Sequence, residues 1–253
     1  MMRTVLLVLT LPVIVAAAPV AKGARPSPEA ARYASCLGLA VTDPAKAVET
    51  ASVWRIEGGG AAARHCLGVA YSRQGKYAAA ADALEAAAKD AQAAGDPRAG
   101  ALYGQAGSAA LAMDDAARAL DLLNSALSLS QGPAAQGPLL VDRARAAVGL
   151  GKLADARADL DTAVKIAPND PDAWLLRATL ARRETRNADA ESAVAVAARL
   201  APQSADVALE QGNIAAIQGK GDEARAAWSR AVAIAPDSDA GRTAAAALKR
   251  NGL

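Results

Sequence analysis

Few residues in this chain are suited to chemistry. There is one histidine, His65, and there are two cysteines, Cys36 and Cys66. A lone imidazole excludes a histidine cluster and leaves metal-site or triad schemes short of partners. Two thiols can form one disulfide, stay free in a core, or work as a redox pair. No Cys-x-x-Cys spacing is present to favour the last. The acids Asp114-Asp115 and Asp170-Asp172 stand at helix starts, where capping accounts for them. Glycines 75, 149, 151, 219 and 221 fall as breaks between helical patterns and make no nucleotide fingerprint after a strand. Nothing qualifies as a general acid or base, and no cofactor or metal motif is present. The expectation is a protein that is not an enzyme.

Composition narrows the partners. Net charge is +2, from 28 basic and 26 acidic residues, which gives no global pull toward nucleic acid or an anionic membrane. Arg3 is followed by "VLLVLTLPVIVAAAP", the form of a secretory signal peptide over residues 1–18. The alternative is an uncleaved anchor. Pro12 and the lack of about 20 continuous apolar residues argue against a spanning helix. Residues 19–27, rich in Pro, Ala and Lys, read as a flexible leader. The expected location is the periplasm or the exterior, with no stable membrane insertion after cleavage. In that oxidising compartment two cysteines favour a disulfide.

The elements that position these residues show in the spacing. Ala167-Pro168, Ala201-Pro202 and Ala235-Pro236 recur at intervals of 34 residues, with two helical patterns between each pair. Aromatics are 3% of the chain, with no Phe, and alanine dominates. That composition favours helices packed closely through small side chains. A period of this length means a repeat array whose units bury their apolar faces only by stacking. Upstream, a helix begins near Pro28, Thr42-Asp43-Pro44 separates it from a second, and Gly58-Gly59-Gly60 ends that one. Leu67, Gly68 and Tyr71 lie on one helix, Gly75 breaks it, and Tyr77, Ala80, Leu84 and Ala87 form a stripe on the next.

These residues resemble the tetratricopeptide repeat. Its 34-residue unit has Leu-Gly at positions seven and eight, Tyr at eleven, small residues at twenty and twenty-seven, a large apolar residue at twenty-four and proline at thirty-two. The resemblance implies an all-α, right-handed superhelical solenoid of antiparallel helix pairs. In that register residues 28–60 form a divergent unit. Repeats follow at 61–94, 100–133, 137–170, 171–204 and 205–238, and residues 239–253 form a C-terminal capping helix. The segments at 91–97 and 132–138 are additions to the minimal unit, read as longer helix ends or loops. Arg143 and Arg177 depart from the pattern, standing where leucine is usual. Trp174 and Trp228 fall at packing positions.

The resemblance also implies where function would lie. Cys36 and Cys66 fall on adjacent first helices, so a disulfide between them is geometrically plausible. First helices line the concave face in this family, which makes His65, Val141, Leu175, Thr179, Leu209 and Asn213 the candidate groove. Val141, Leu175 and Leu209 occupy fifth positions where a carboxylate-binding clamp needs lysine, and only Asn213 matches that pattern. The clamp is therefore not expected, and an amphipathic helix or an extended apolar segment suits the surface better. The basic run Arg182–Arg186 reads as a solvated helix end, with an acidic partner as the alternative. The implied function is a non-catalytic scaffold or adaptor in the bacterial cell envelope that binds a protein or peptide. The alternatives are a redox-linked or enzymatic accessory using the cysteine pair, and a cell-wall-associated binding module.

Overall fold

The computed structural model describes residues 27–251. The signal-type segment 1–18 and all but Ser27 of the leader lie outside the described residues. Within them there are thirteen α-helices and no strand. In chain order these are α1 (Pro28–Thr42), α2 (Pro44–Ile56), α3 (Gly60–Arg73), α4 (Tyr77–Ala93), α5 (Ala99–Leu111) and α6 (Ala116–Leu129). They continue as α7 (Pro133–Gly149), α8 (Leu153–Ile166), α9 (Pro171–Arg183), α10 (Asn187–Leu200), α11 (Ala205–Ile217), α12 (Gly221–Ile234) and α13 (Asp239–Arg250). Each helix packs on its neighbours in the chain. In addition, α1 touches α3, and α5, α7, α9, α11 and α13 touch in succession. The odd-numbered first helices therefore make one layer and the even-numbered second helices the other.

Local chemistry sets the helix ends. Ser27, Asp43, Asp115, Asp170, Ser204 and Ser238 accept hydrogen bonds from the first-turn N–H groups of α1, α2, α6, α9, α11 and α13, satisfying donors that no helix can bond internally. Pro28, Pro44, Pro133 and Pro171 begin their helices, where a missing N–H costs nothing. The Ala-Pro marks act at the other end. The residue before a proline is pushed out of the helical region. Ala167, Ala201 and Ala235, at φ −130°, −133° and −150°, terminate α8, α10 and α12 there.

The turn inside each repeat needs one residue in the left-handed region. Gly75, Gly151 and Gly219 supply it at φ +70°, +72° and +74°, and Asp114 (φ +60°) and Thr185 (φ +58°) hold the same place in their repeats. Thr185 sits midway in the series 151, 185, 219, so the period imposes the turn on a β-branched residue ill suited to it.

Packing within a repeat matches a small residue on the first helix to a large one on the second. A Cβ on Gly107 would lie 2.7 Å from Leu123 Cγ, and one on Gly68 or Gly212 would fall within Leu84 or Trp228. Leu84, Leu123 and Leu160 are fully buried, and Trp228 is nearly so. The two departures at position seven are arginines with assigned partners. Arg143 forms a bidentate pair with the buried Asp159 at 2.8 and 2.6 Å. Arg177 bonds Asp161 at 2.9 Å and lies over the Trp174 ring. Leucine is replaced at both places by an ion pair that ties the first helix to α8. The 132–138 addition is helical: α7 starts at Pro133 and carries Pro138 inside its second turn, early enough that one lost hydrogen bond is tolerated.

Candidate binding groove

A ladder of polar contacts crosses the first-helix layer. At its N-terminal end Tyr33 of α1 bonds His65 Nδ1 on α3, and His65 Nε2 is 2.8 Å from Gln105 Oε1 on α5. Both rings are satisfied when the Tyr33 hydroxyl donates to Nδ1 and Nε2–H donates to Gln105. Next, Ser108 of α5 donates to Asp142 of α7 at 2.6 Å. Arg145 of α7 also reaches Asp142 at 2.6 Å and stands 3.9 Å from Asp172 of α9. Arg182 of α9 then donates twice to the buried Glu210 of α11, at 2.7 and 3.1 Å. Asn213 donates to Glu210 at 3.3 Å and accepts from Trp228 Nε1 at 3.2 Å. A continuous chain of bonds thus runs from α12 through α11 to α9.

Electrostatics at the N-terminal end favour neutral rings. Burial pushes the His65 imidazole below its ordinary value, helped by nearby Arg98 and opposed by the Gln105 hydrogen bond. Burial raises the Tyr33 phenol, against the pull of Arg98. Arg98 lies over the Tyr33 ring at 5.5 Å and grips Asp96, whose carboxyl its hydrogen bonds hold at about 2. Behind this cluster Cys36 and Cys66 are joined as a disulfide, with Cα atoms 6.1 Å apart and both residues buried. They pack with Trp54, Ala63 and Leu67, and Tyr33 lies against the same cluster.

The six groove candidates separate in the structure. Leu175 and Thr179 line an open cavity of about 390 Å³ that bridges α7, α9 and α11. Val141 does not reach the groove. It is 3% exposed, clustered with Leu140, Val164 and Ala173 and overlaid by Leu176, because α9 packs across its face of α7. His65 and Asn213 are half-buried, and their polar atoms are engaged by Tyr33, Gln105, Glu210 and Trp228. Leu209 is half-buried against the cluster formed by α11, α12 and α13. Sequence reasoning missed Asp172, Leu176, Ser204 and Asp206, which share the cavity. The 34-residue interval between Asp172 and Asp206 was a signal available for two of them.

The basic run 182–186 also resolves. Arg182 is held by Glu210, Arg186 by Glu184 and Asp189, and only Arg183 has no ion pair among the described residues. No group of acidic, histidine and cysteine side chains able to hold a metal occurs among the described residues. No described helix is long and apolar enough to cross a membrane.

Comparison with known proteins agrees with this architecture. A tetratricopeptide repeat family model matches residues 141–205 and 176–239. The fold is similar to that of PilF from Pseudomonas aeruginosa, with a TM-score of 0.67 at 16% identity over 86% of this chain and 98% of that one. It is also similar to PilW, described as a widely conserved type IV pilus biogenesis factor, with a TM-score of 0.69 at 15% identity over 87% and 99%. YrrB, a repeat protein with an unusual peptide-binding site, superposes with a TM-score of 0.52 at 20% identity over 76% and 95%. No curated protein matches the sequence. The chain is an all-helical solenoid of the tetratricopeptide-repeat type, with the repeat signature carried by residues 141–239.

Proposed function

We propose that this protein is a non-catalytic scaffold or adaptor that holds a protein or peptide segment on its first-helix face, and that it works in the bacterial cell envelope, in the periplasm or outside the cell. The observation that carries the reading is the cavity over Leu175, Leu176 and Thr179, which spans three consecutive first helices and is covered by no other described element. Elsewhere along the layer the polar ladder engages His65, Gln105, Ser108 and Asp142, and a second open cavity of about 310 Å³ lies over Val69, Arg73 and Ala109 of α3 and α5. The fold is one in which a peptide-binding site occurs, as in YrrB. A signal-type N-terminus and a buried disulfide support the envelope location.

The test is a photoreactive residue at position 179 in intact cells, with a matched probe at the exposed Thr162 on α8 of the opposite layer. A discrete adduct from position 179, absent from 162 and reduced by Leu175→Ala, is the expected result. Equal labelling at both positions would sink the groove reading. Fractionation of the same cells tests the location, and recovery in the cytosol would remove it.

A further inference from the structure

We propose that the cavity on α7, α9 and α11 takes an extended segment carrying basic side chains beside apolar ones, with Asp172 and Asp206 reading the charge. This rests on the groove reading above and assigns its partner a chemistry. Leu175, Leu176 and Thr179 are half-buried and supply the apolar part of a cavity whose exposed lining is more polar than apolar. At its edge the Asp172 side chain is 68% exposed, and Asp206 is also exposed.

Neither carboxylate is consumed by helix capping. The side chain of Asp170 caps α9 and that of Ser204 caps α11. Asp206 has no ion-pair partner among the described residues, and Asp172 has only Arg145 at 3.9 Å, whose closer partner is Asp142 at 2.6 Å. Arg145 is thus shared between Asp142 and Asp172, Asp206 has no cation beside it, and the cavity edge at Asp172 and Asp206 is net negative. Arg183, the unpaired cation on α9, is eleven residues from Asp172, about 16 Å at 1.5 Å per residue, and lies one turn beyond Thr179 at the other end of the cavity. An anionic or carboxylate-ended partner would be repelled here, and a cationic one drawn in.

The spacing selects an extended form. Asp172 and Asp206 occupy the same place on consecutive first helices, 34 residues apart, and packed helices lie roughly 8–10 Å from one another. A polyproline-II segment has three residues per turn and rises about 3.1 Å per residue, so side chains three apart share a face about 9 Å apart. One Lys or Arg at every third position, with Leu, Ile or Val between, would meet both carboxylates and the leucine surface together.

Selection from a displayed library of random 12-residue peptides on the purified chain at low salt decides it. The expected pool is rich in Lys or Arg three apart with aliphatic neighbours. A synthetic winner should bind roughly 5- to 10-fold more weakly to the Asp172→Asn/Asp206→Asn double variant, and more weakly to wild type in 0.5 M salt. Unfolding midpoints must match between variant and wild type; if they do not, each single Asn variant carries the same comparison. A pool of neutral or acidic peptides still sensitive to Leu175→Ala would overturn the charge assignment and leave the groove reading standing. So would basic peptides indifferent to the double variant. Basic residues recurring at seven rather than three would overturn the extended form. No enriched pool, or one indifferent to Leu175→Ala, takes down both proposals.

Discussion

The two halves of the solenoid hold their register by different means. From α7 to α13 the register is set by local chemistry: Pro168, Pro202 and Pro236 stop the second helices, and Asp170, Ser204 and Ser238 cap the first helices that follow. From α1 to α6 no Ala-Pro mark stops a second helix, and the spacing between turn residues Gly75 and Asp114 departs from 34. That half is fastened by links between residues far apart in sequence. Among them are the Cys36–Cys66 bond, the Tyr33–His65–Gln105 chain, and the stacking of Arg32 on Trp54 and Arg98 on Tyr33. Where local signals suffice, Leu175 and Thr179 are left uncovered. Where they do not, cross-links occupy His65 and Gln105, the polar side chains between α1, α3 and α5.

Breaking the covalent link is the strongest test of that contrast. Replacing Cys36 and Cys66 with Ala should destabilise α1 and α2 by about 3–4 kcal/mol, the chain-entropy worth of closing a 30-residue loop. Hydrogen exchange should accelerate over residues 28–56 and stay unchanged over 171–234. Uniform acceleration would mean that the two halves unfold as one unit.

The C-terminal half has long-range ion pairs as well, and removing the most buried of them is the next largest effect. Glu210 is 5% exposed and accepts from Arg182 and Asn213. Glu210→Ala should cost about 2–3 kcal/mol, below the full penalty for breaking a buried pair because Arg182 keeps some access to water. Chemical denaturation followed by Trp228 fluorescence reads it. A loss within experimental error of zero would show that the Glu210 pin adds nothing to what capping, proline stops and the other ion pairs of this half already supply.

A gain is expected where the period imposes an unfavourable residue. Thr185→Gly should stabilise by about 1 kcal/mol, because glycine takes φ +58° without strain. A raised midpoint in thermal unfolding checks it, and a lowered one would mean that the Thr185 hydroxyl bond to the Glu184 carbonyl outweighs the strain.

The smallest effect concerns pH and belongs to the N-terminal half alone. The His65 pKa is lowered in the folded protein from 6.5, so the unfolded chain binds its proton first as pH falls. The stability this group contributes is complete above 6.5 and is lost as pH drops through the folded value. Denaturation midpoints should fall on acidification below 6.5. The slope should flatten in His65→Gln, which keeps a hydrogen-bonding group between Tyr33 and Gln105. An unchanged slope would assign the acid sensitivity to other groups.

Much of this architecture was legible because its causes are local. A proline excludes helical backbone in the residue before it, a capping side chain bonds an N–H two or three residues away, and a glycine or small residue opposite a large one recurs with the period. The helices around Pro168, Pro202 and Pro236 follow from such rules. Position seven was legible only as a departure: Arg143 and Arg177 make sense once Asp159 and Asp161, sixteen residues away in opposite directions, are seen beside them.

What the sequence by itself determined is the period, the helix ends and the small-to-large packing, all fixed by backbone chemistry within one repeat. Only the tertiary structure decided which first-helix residues remain free. Val141 is covered by the next first helix, and His65 and Asn213 are engaged by partners on other helices. Leu175 and Thr179 stay open beside Asp172 and Asp206. Availability depends on neighbours a full repeat away, and no local pattern encodes where those neighbours come to rest.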